Sequence, residues 1–392
     1  MKEFIALLKV EFQRIFSNDV LLAIFFGAPI FYGILFGFVY KQAKVVDLPI
    51  VIVDYDKSPT SDKFIDAFYD NEGLKVEQVR YTAGNIVEEM PTKQYVAVIT
   101  IPDNFEADLL QKRHPELHVD LNMVNIVKSN TASKHIQSIL LTLNAGIEIE
   151  SLKKQGMSPE QASNSYESFK INFNKLYNST GSYVAFMLPG FLGVIMQQII
   201  FLAMALVFSR DFEDGYFATL IGHSKNAFYH ILLKSTPFLL MLPIMWLSVS
   251  LFLPYFQIEA DIFNMPMFYL VSMLTFASMG IGMLFSIAIP SQLKATELLM
   301  VISTPAFVLS GFTWPSMAIP DEINLIANLI PLTHFLTGFR KIAFYNGDIS
   351  SILPELKVLA LISLVSFVAM LVLLQIKIKR FMKKNAVEER EV

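Results

Sequence analysis

From Ser182 to Ser209 not one side chain is charged. At about 1.5 Å rise per residue, about twenty of these residues in a helix already cross the roughly 30 Å hydrocarbon core of a bilayer. The stretch therefore predicts a membrane span. It opens with Leu188-Pro189-Gly190, carries Gln197 and Gln198 near its middle, and stops at Arg210-Asp211-Phe212-Glu213-Asp214-Gly215. That acidic stop is where mechanical work is expected to enter.

The remainder of the chain agrees with a lipid environment. Of its residues 54% are hydrophobic, more than one or two globular cores can hide, so the surplus faces lipid. Charged residues, 17% of the chain, are clustered, so long uncharged runs alternate with polar stretches. A formal net charge of -4 argues against nucleic acid as a partner, because phosphate binding needs concentrated Lys and Arg. With no cysteine there is no disulfide, thiolate metal site or cysteine nucleophile. The apolar run after Asp19 is too long for a cleavable signal peptide and lacks a small-residue cleavage site.

Residues 1–19 put Ile5, Leu8, Phe12 and Ile15 on one helical face and Lys2, Lys9, Glu11 and Arg14 elsewhere. This fits an interfacial helix lying along the membrane, or a short helix packed on another part of the chain. The first span is expected over residues 20–40, with Gly33 and Gly37 spaced to let two helices approach, either a second subunit or another span of the same chain. Residues 41–182 change to a mixed, charged composition that reads as a separate α/β domain. Its expected strands are Leu48–Val53, Leu74–Val79, Tyr95–Ile101 and Glu116–Asn122, with helices following Thr60, Ala83 and Asp103, the last with Glu106 in the capping position. A long amphipathic helix marked by Ile136, Leu140, Leu143 and Ile147 ends near Gly156. Ser158-Pro159-Glu160-Gln161 starts another with a capping box.

Residues 183–376 hold the remaining spans. The third is expected over Ser235–Phe256, kinked by Pro237 and Pro243, and the fourth over Pro266–Ile289. After a short loop containing Lys294, the fifth runs from Leu298 to about Trp314, broken by Pro305. Within a segment at 315–347, Ile323 to Gly347 reads as two short helices dipping into the outer interface. Leu356–Ile376 is the sixth span, and residues 377–392 form a basic tail. Lys and Arg concentrate in the amino-terminal helix, the Arg210–Lys234 loop and the tail, so the positive-inside rule puts both termini in the cytoplasm and the large domain outside. The expected fold is a polytopic α-helical membrane protein with six transmembrane helices and an extracytoplasmic α/β domain inserted between spans one and two.

Motifs for chemistry are missing. The sequence has no GxxxxGK[ST] loop, nucleophile elbow, HExxH or Rossmann fingerprint, so nucleotide hydrolysis is not expected on this chain. His114, Glu116 and His118 read as a solvated strand entry rather than a metal site, and Asp54 and Asp56 as turn formers. The charges Arg210, Asp211, Glu213 and Asp214 have two readings: a solvated helix end, or a surface that couples to a soluble motor and braces its own loop. Gln197 and Gln198 are costly in hydrocarbon and are expected at a helix interface or on a substrate path.

Nearly the whole chain resembles the permease subunits of type-2 ABC exporters, in the branch with a large extracytoplasmic domain between spans one and two. The hub carries part of the likeness, with its Pro189-Gly190 entry and the acidic motif ending at Gly215. Tyr216 stands where that family usually has threonine, and His223-Ser224 where it has Thr-Pro. Ser310-Gly311-Phe312-Thr313-Trp314-Pro315, Pro320, Pro331-Leu332-Thr333-His334-Phe335 and Arg340 are similar to the family's outer re-entrant segment, and the amino-terminal helix is the third match.

The resemblance implies a half-transporter in a bacterial cytoplasmic (inner) membrane. Two permease subunits, a homodimer or a pair with a sister, would sit on two copies of a separate ABC ATPase that holds the ATP and Mg, leaving no cofactor on this chain. Closure of that motor would pass through the amino-terminal helix and the loop at Glu213, opening a path between the two copies of spans two and five. The substrates implied are amphipathic or hydrophobic compounds, drug-like, lipid or glycoconjugate. A periplasmic adaptor and an outer-membrane duct are partners that relatives with this domain often use. The competing expectation is a receptor or sensor scaffold whose outer α/β domain binds a ligand without transport. The broken fifth span and the intramembrane glutamines favour transport.

Overall fold

Five helices among the described residues are long and apolar enough to cross a membrane: Tyr183–Glu213, Ala227–Tyr255, Met265–Ala288, Gln292–Leu309 and Leu353–Lys383. They belong to a computed structural model that describes residues 2–42, 44–82, 84, 86–166, 177, 178 and 181–391. The chain divides into two units, residues 1–43 with 175–392 and residues 44–174.

The stretch expected as the first span is helical from Asp19 to Val39 but interrupted, with a π turn at Ala23–Gly27 between Asp19–Leu22 and Ala28–Val39. Pro29 explains the interruption: it lacks an N–H for the Phe25 carbonyl and its ring crowds that carbonyl, so the ladder widens just before it. Gly33 and Gly37 pack within the chain. A Cβ on either would lie 2.4 Å from the Phe252 ring or 1.9 Å from the Phe256 ring, so the small residues seat the end of the Ala227–Tyr255 segment.

Three other boundaries differ from expectation. The third span begins at Ala227 rather than Ser235, because Lys234, which looked like a terminating charge, is neutralised inside the protein. The fifth begins at Gln292, so Lys294 lies on a helix and not in a loop. It runs to Ser303, where Pro305 cannot donate to the Val301 carbonyl, and resumes as Ala306–Leu309, leaving Trp314 outside. The sixth extends through the basic tail as one helix, Leu353–Glu391.

In the unit of residues 44–174, β1 (Leu48–Asp54), β2 (Leu74–Arg80), β3 (Ala97–Ile101) and β4 (His118–Leu121) form a sheet of order β2-β1-β3-β4. β1 pairs in parallel with both neighbours, and β4 is antiparallel to β3. The central strand has no polar face: Ile50 and Ile52 pack with Phe64, Phe68, Phe105 and Ile136, while Val51 and Val53 pack with Ile86, Met90 and Val98. That is why it reads as a continuous apolar run instead of an alternation. The long helix runs Ile126–Lys154, and the Ser158–Gln161 capping box forms reciprocally ahead of Pro159–Tyr166. The return of the chain over 167–176, 179 and 180, and the helix start expected at Ala83, lie outside the described residues.

Asp54 is fully buried and accepts from the amides of Asp56 and Lys57 and from the Ser61 hydroxyl at 2.9 Å, so it shapes the turn after β1. Ser58 caps the Pro59–Tyr69 helix that begins just before Thr60. Asn104, not Asp103, precedes the Phe105–Leu110 helix, with φ 59°, and Glu106 accepts from the Thr60 hydroxyl instead of capping. Replacing Ser61 with Ala leaves a buried carboxylate oxygen without its donor. We expect about 1–3 kcal/mol of local stability lost, read as faster amide hydrogen exchange along β1 in the full chain.

Candidate functional site

The hub helix does not stop at Arg210. It continues to Glu213, so the acidic motif is its last turn, and it ends on Gly215, whose φ of 72° suits glycine. That turn meets the amino-terminal helix Lys2–Phe16 and the start of the Ala227–Ser250 helix in a network of charges. Arg14 pairs with Asp211 at 2.7 Å and Asp214 at 3.2 Å, and Lys234 pairs with Asp211 at 2.6 Å and Glu11 at 2.8 Å. Arg210 reaches Asp214 at 3.4 Å and donates to the Arg14 carbonyl at 3.0 Å. Three cations face three carboxylates, and Glu11, Asp211 and Lys234 are almost fully buried. Buried charges are tolerated only when compensated in this way.

Tyr216 completes the cluster as a platform, with the Arg14 guanidinium 4.1 Å and the Lys234 ammonium 5.5 Å from its ring centroid. Burial raises its phenol above the ordinary value, so it stays neutral beside the carboxylates. A threonine at this position would offer no ring. The amino-terminal helix packs on the same cluster. It buries Leu7, Glu11 and Ile15 against the protein, with Leu8 and Phe12 of the apolar stripe partly buried beside them and Ile5 59% exposed.

Two more contacts radiate from the motif. The Glu213 carboxylate accepts from the Gln292 amide at 2.9 Å and from its side chain, capping the first turn of the Gln292–Ser303 helix. Just above the motif, the amides of Phe208 and Ser209 donate to the Ser286 hydroxyl at 2.8 and 2.9 Å, and Ser209 satisfies the Ala205 carbonyl with its own hydroxyl. On the far side, Phe212 and Phe217 stack edge to face, Phe217 meets Phe381, and Lys377 lies 4.3 Å from the Phe212 ring. The last turn of the hub thus touches the amino-terminal helix and the helices beginning at Ala227, Gln292 and Leu353.

At the opposite end of the hub a second constellation forms. Gly190 has no side chain because the Phe312 ring lies on it: a Cβ would sit 2.3 Å from that ring. Pro189 is buried beside it within the helix. Ser310 donates to the Phe307 carbonyl, Gly311 turns the chain at φ 74°, and Arg340 lies 3.9 Å over the Phe312 ring while donating to the Phe312 carbonyl at 2.7 Å. Rings continue through Phe307, Phe191 and Phe36. Pro315 precedes a short 3-10 turn, and Pro331 opens the Pro331–Ala343 helix. Thr333 and His334 bond the carbonyls of Ala327 and Asn328, closing the turn after the Asp321–Ala327 helix.

The sequence-derived residues thus gather at two ends of one helix. Gln197 joins neither group. It is 1% exposed, and its side-chain oxygen has no hydrogen-bond partner among the described residues; Gln198 is partly exposed. Among the described residues no group of His, Asp and Glu could hold a metal ion.

A family model described as ABC-2 family transporter protein matches residues 20–372. The chain belongs to the ABC-2 transporter family. Curated relatives include the inner membrane transport permease YhhJ of Escherichia coli, 24% identical over 81% of this chain and 83% of that one. The probable multidrug ABC transporter permease YbhS of the same organism is 26% identical over 47% and 49%, and the linearmycin resistance permease protein LnrN of Bacillus subtilis is 22% identical over 94% and 98%. In this ABC-2 permease, then, the acidic motif is a junction whose charges pair inside the chain. Sequence reasoning singled out Arg210, Asp211, Glu213, Asp214 and Gly215 but not Lys234, Gln292 or Ser286, and noted Tyr216 only as a departure from the family's usual threonine. Lys234 had one legible signal, a lone charge followed by an apolar run with Asn226, a helix-capping residue, ahead of it.

Proposed function

We propose that this ABC-2 permease is the membrane half of an exporter that moves amphipathic or hydrophobic compounds outward, driven by a separate ABC ATPase that carries the ATP and Mg. The observation that carries the reading is the junction at Arg210–Gly215. One turn of helix holds the amino-terminal helix through Arg14, the Ala227 helix through Lys234 and the Gln292 helix through Glu213, so a push on it moves all of them. A motor that binds two states of this junction unequally would shift the equilibrium between them.

The interrupted Asp19–Val39 helix acts as the first of six spans, and both termini lie in the cytoplasm with the α/β unit outside. In the Gln292–Leu309 helix only 22% of the apolar window is buried, which leaves a face for a second permease subunit, identical or a sister. Spans two and five of the two subunits line the path, with Gln197 and Gln198 on it or at its helix interface. The segment around Pro315, Pro331 and Arg340 closes its outer end. A periplasmic adaptor and an outer-membrane duct extend the assembly where the envelope has two membranes. The names multidrug permease and linearmycin resistance permease, borne by relatives, support an apolar substrate.

The decisive experiment reconstitutes the permease with the ATPase that co-purifies from native membranes. With Glu213→Ala, transport is expected to fall about tenfold, within the range typical of a coupling free energy, while ATP hydrolysis continues. Undiminished transport in Glu213→Ala and in Gly215→Val would refute the coupling role. Orientation is read separately, since the chain has no native cysteine. A cysteine at His223 should react with an impermeant maleimide only in inside-out vesicles, and one at Asn346 only in right-side-out vesicles; the reverse pattern overturns the topology.

A further inference from the structure

Three hollows join on the flank formed by the Ala227–Ser250, Met265–Ala288 and Leu353–Glu391 helices. One of 640 Å³ and one of 440 Å³ share Leu239 and Phe276, and the second shares Phe228 with a third of 380 Å³. From Phe228 to Leu239 a helix rises roughly 16 Å, about half of the roughly 30 Å hydrocarbon core, so the middle hollow spans one leaflet. Its few polar liners are spent: the Ser235 and Ser363 hydroxyls donate to the carbonyls of Ile231 and Leu359 on their own helices. The lining therefore accepts hydrocarbon and offers a polar substrate nothing.

The end of the groove beyond Phe228 is different in kind. There Gln375 ties the tail helix to the start of the Ala227 helix, accepting from the Ala227 amide at 3.1 Å and donating to the Lys225 carbonyl at 3.2 Å. Lys379 lines this end beside Asn226. Lys225 and Lys379 are both exposed, and neither makes an ion pair with any described residue. An apolar slot one leaflet deep, ending at the uncompensated Lys379 with exposed Lys225 next in the chain to the lining Asn226, matches a molecule with a long hydrocarbon chain and an anionic head.

We propose that this groove is a binding site for one anionic phospholipid, its headgroup phosphate between Lys225 and Lys379 and an acyl chain along Phe228, Ser235 and Leu239. With the orientation proposed above, the lipid belongs to the cytoplasmic leaflet. It bridges the Ala227 helix to the tail helix within the bilayer.

The chain has only two tryptophans, Trp246 and Trp314, which makes a reporter straightforward. Phe228→Trp in a Trp246→Phe, Trp314→Phe background is reconstituted in vesicles containing brominated phosphatidylglycerol or brominated phosphatidylcholine. Quenching by the anionic lipid is expected at a roughly tenfold lower mole fraction, the scale of two lysines near an anionic headgroup. Lys225→Gln with Lys379→Gln should abolish that preference, and Ser363→Phe, which fills the slot, should weaken quenching by both lipids. Equal quenching by the two lipids with both lysines present overturns the proposal in favour of ordinary annular contact, and so does a preference that survives their removal. A wrong topology would leave the preference intact and appear only in the labelling of the cysteine at His223.

Discussion

Replacing Lys234 with methionine is expected to lower stability by about 3–5 kcal/mol, the range for breaking a buried ion pair by removing one partner. Lys234 touches Glu11 at 2.8 Å and Asp211 at 2.6 Å, and all three side chains are nearly inaccessible to water. Methionine keeps the stem and removes only the charge, leaving Glu11 with no cation. Asp211 keeps Arg14 at 2.7 Å. The double variant Lys234→Met, Glu11→Leu should therefore be more stable than the single one, because it removes the stranded carboxylate as well. Thermal unfolding of wild type, both singles and the double in lipid nanodiscs measures the coupling. Additive losses would mean that the pair is not energetically linked. The single variant should also release the amino-terminal helix, seen as faster proteolysis near Arg14.

The second large effect is expected at the other end of the hub. Arg340 holds the Phe312 carbonyl at 2.7 Å and lies 3.9 Å over the Phe312 ring and 5.3 Å from that of Phe186. Removing a charge-assisted hydrogen bond together with a cation–π contact should cost about 2–4 kcal/mol in Arg340→Met. Arg340→Lys keeps the charge but cannot both lie flat on a ring and donate to the carbonyl, so it should recover only part. Thermal unfolding again reports the loss, and the emission of Trp314, two residues beyond Phe312, should change with it. An Arg340→Met protein that melts with wild type would remove Arg340 from the role of anchor.

Both effects were half legible in the sequence. Charge-free runs bounded by charged residues located most of the helices, since spanning length follows from rise per residue alone. The strands of the α/β unit were legible too, because β1 is buried on both faces and its apolar run is continuous. Asp54 was recognisable as a turn former, and the Ser158–Gln161 capping box spans only four residues. What could not be read was where a charge ceases to be a boundary. Lys234 looked like the end of a loop, and Lys294 like part of one. Each proved helical, Lys234 because partners distant in sequence compensate it and Lys294 because its helix starts two residues earlier, at Gln292. The burial of Glu11 was unreadable for the same reason, since its partner is a lysine more than two hundred residues away.

The sequence by itself determined that this chain lives in a membrane, that it carries an α/β insertion, and that its distinctive residues cluster at Arg210–Gly215 and at Ser310–Arg340. Those conclusions rest on local physics: hydropathy over a window, propensity, caps and turns. Only the tertiary structure decided that Asp211 is buried between Arg14 and Lys234, that Glu213 caps the helix beginning at Gln292, and that Gly190 exists to receive Phe312. Each of these is a contact between distant segments, whose energy depends on distance and desolvation, and neither quantity exists until the helices have packed.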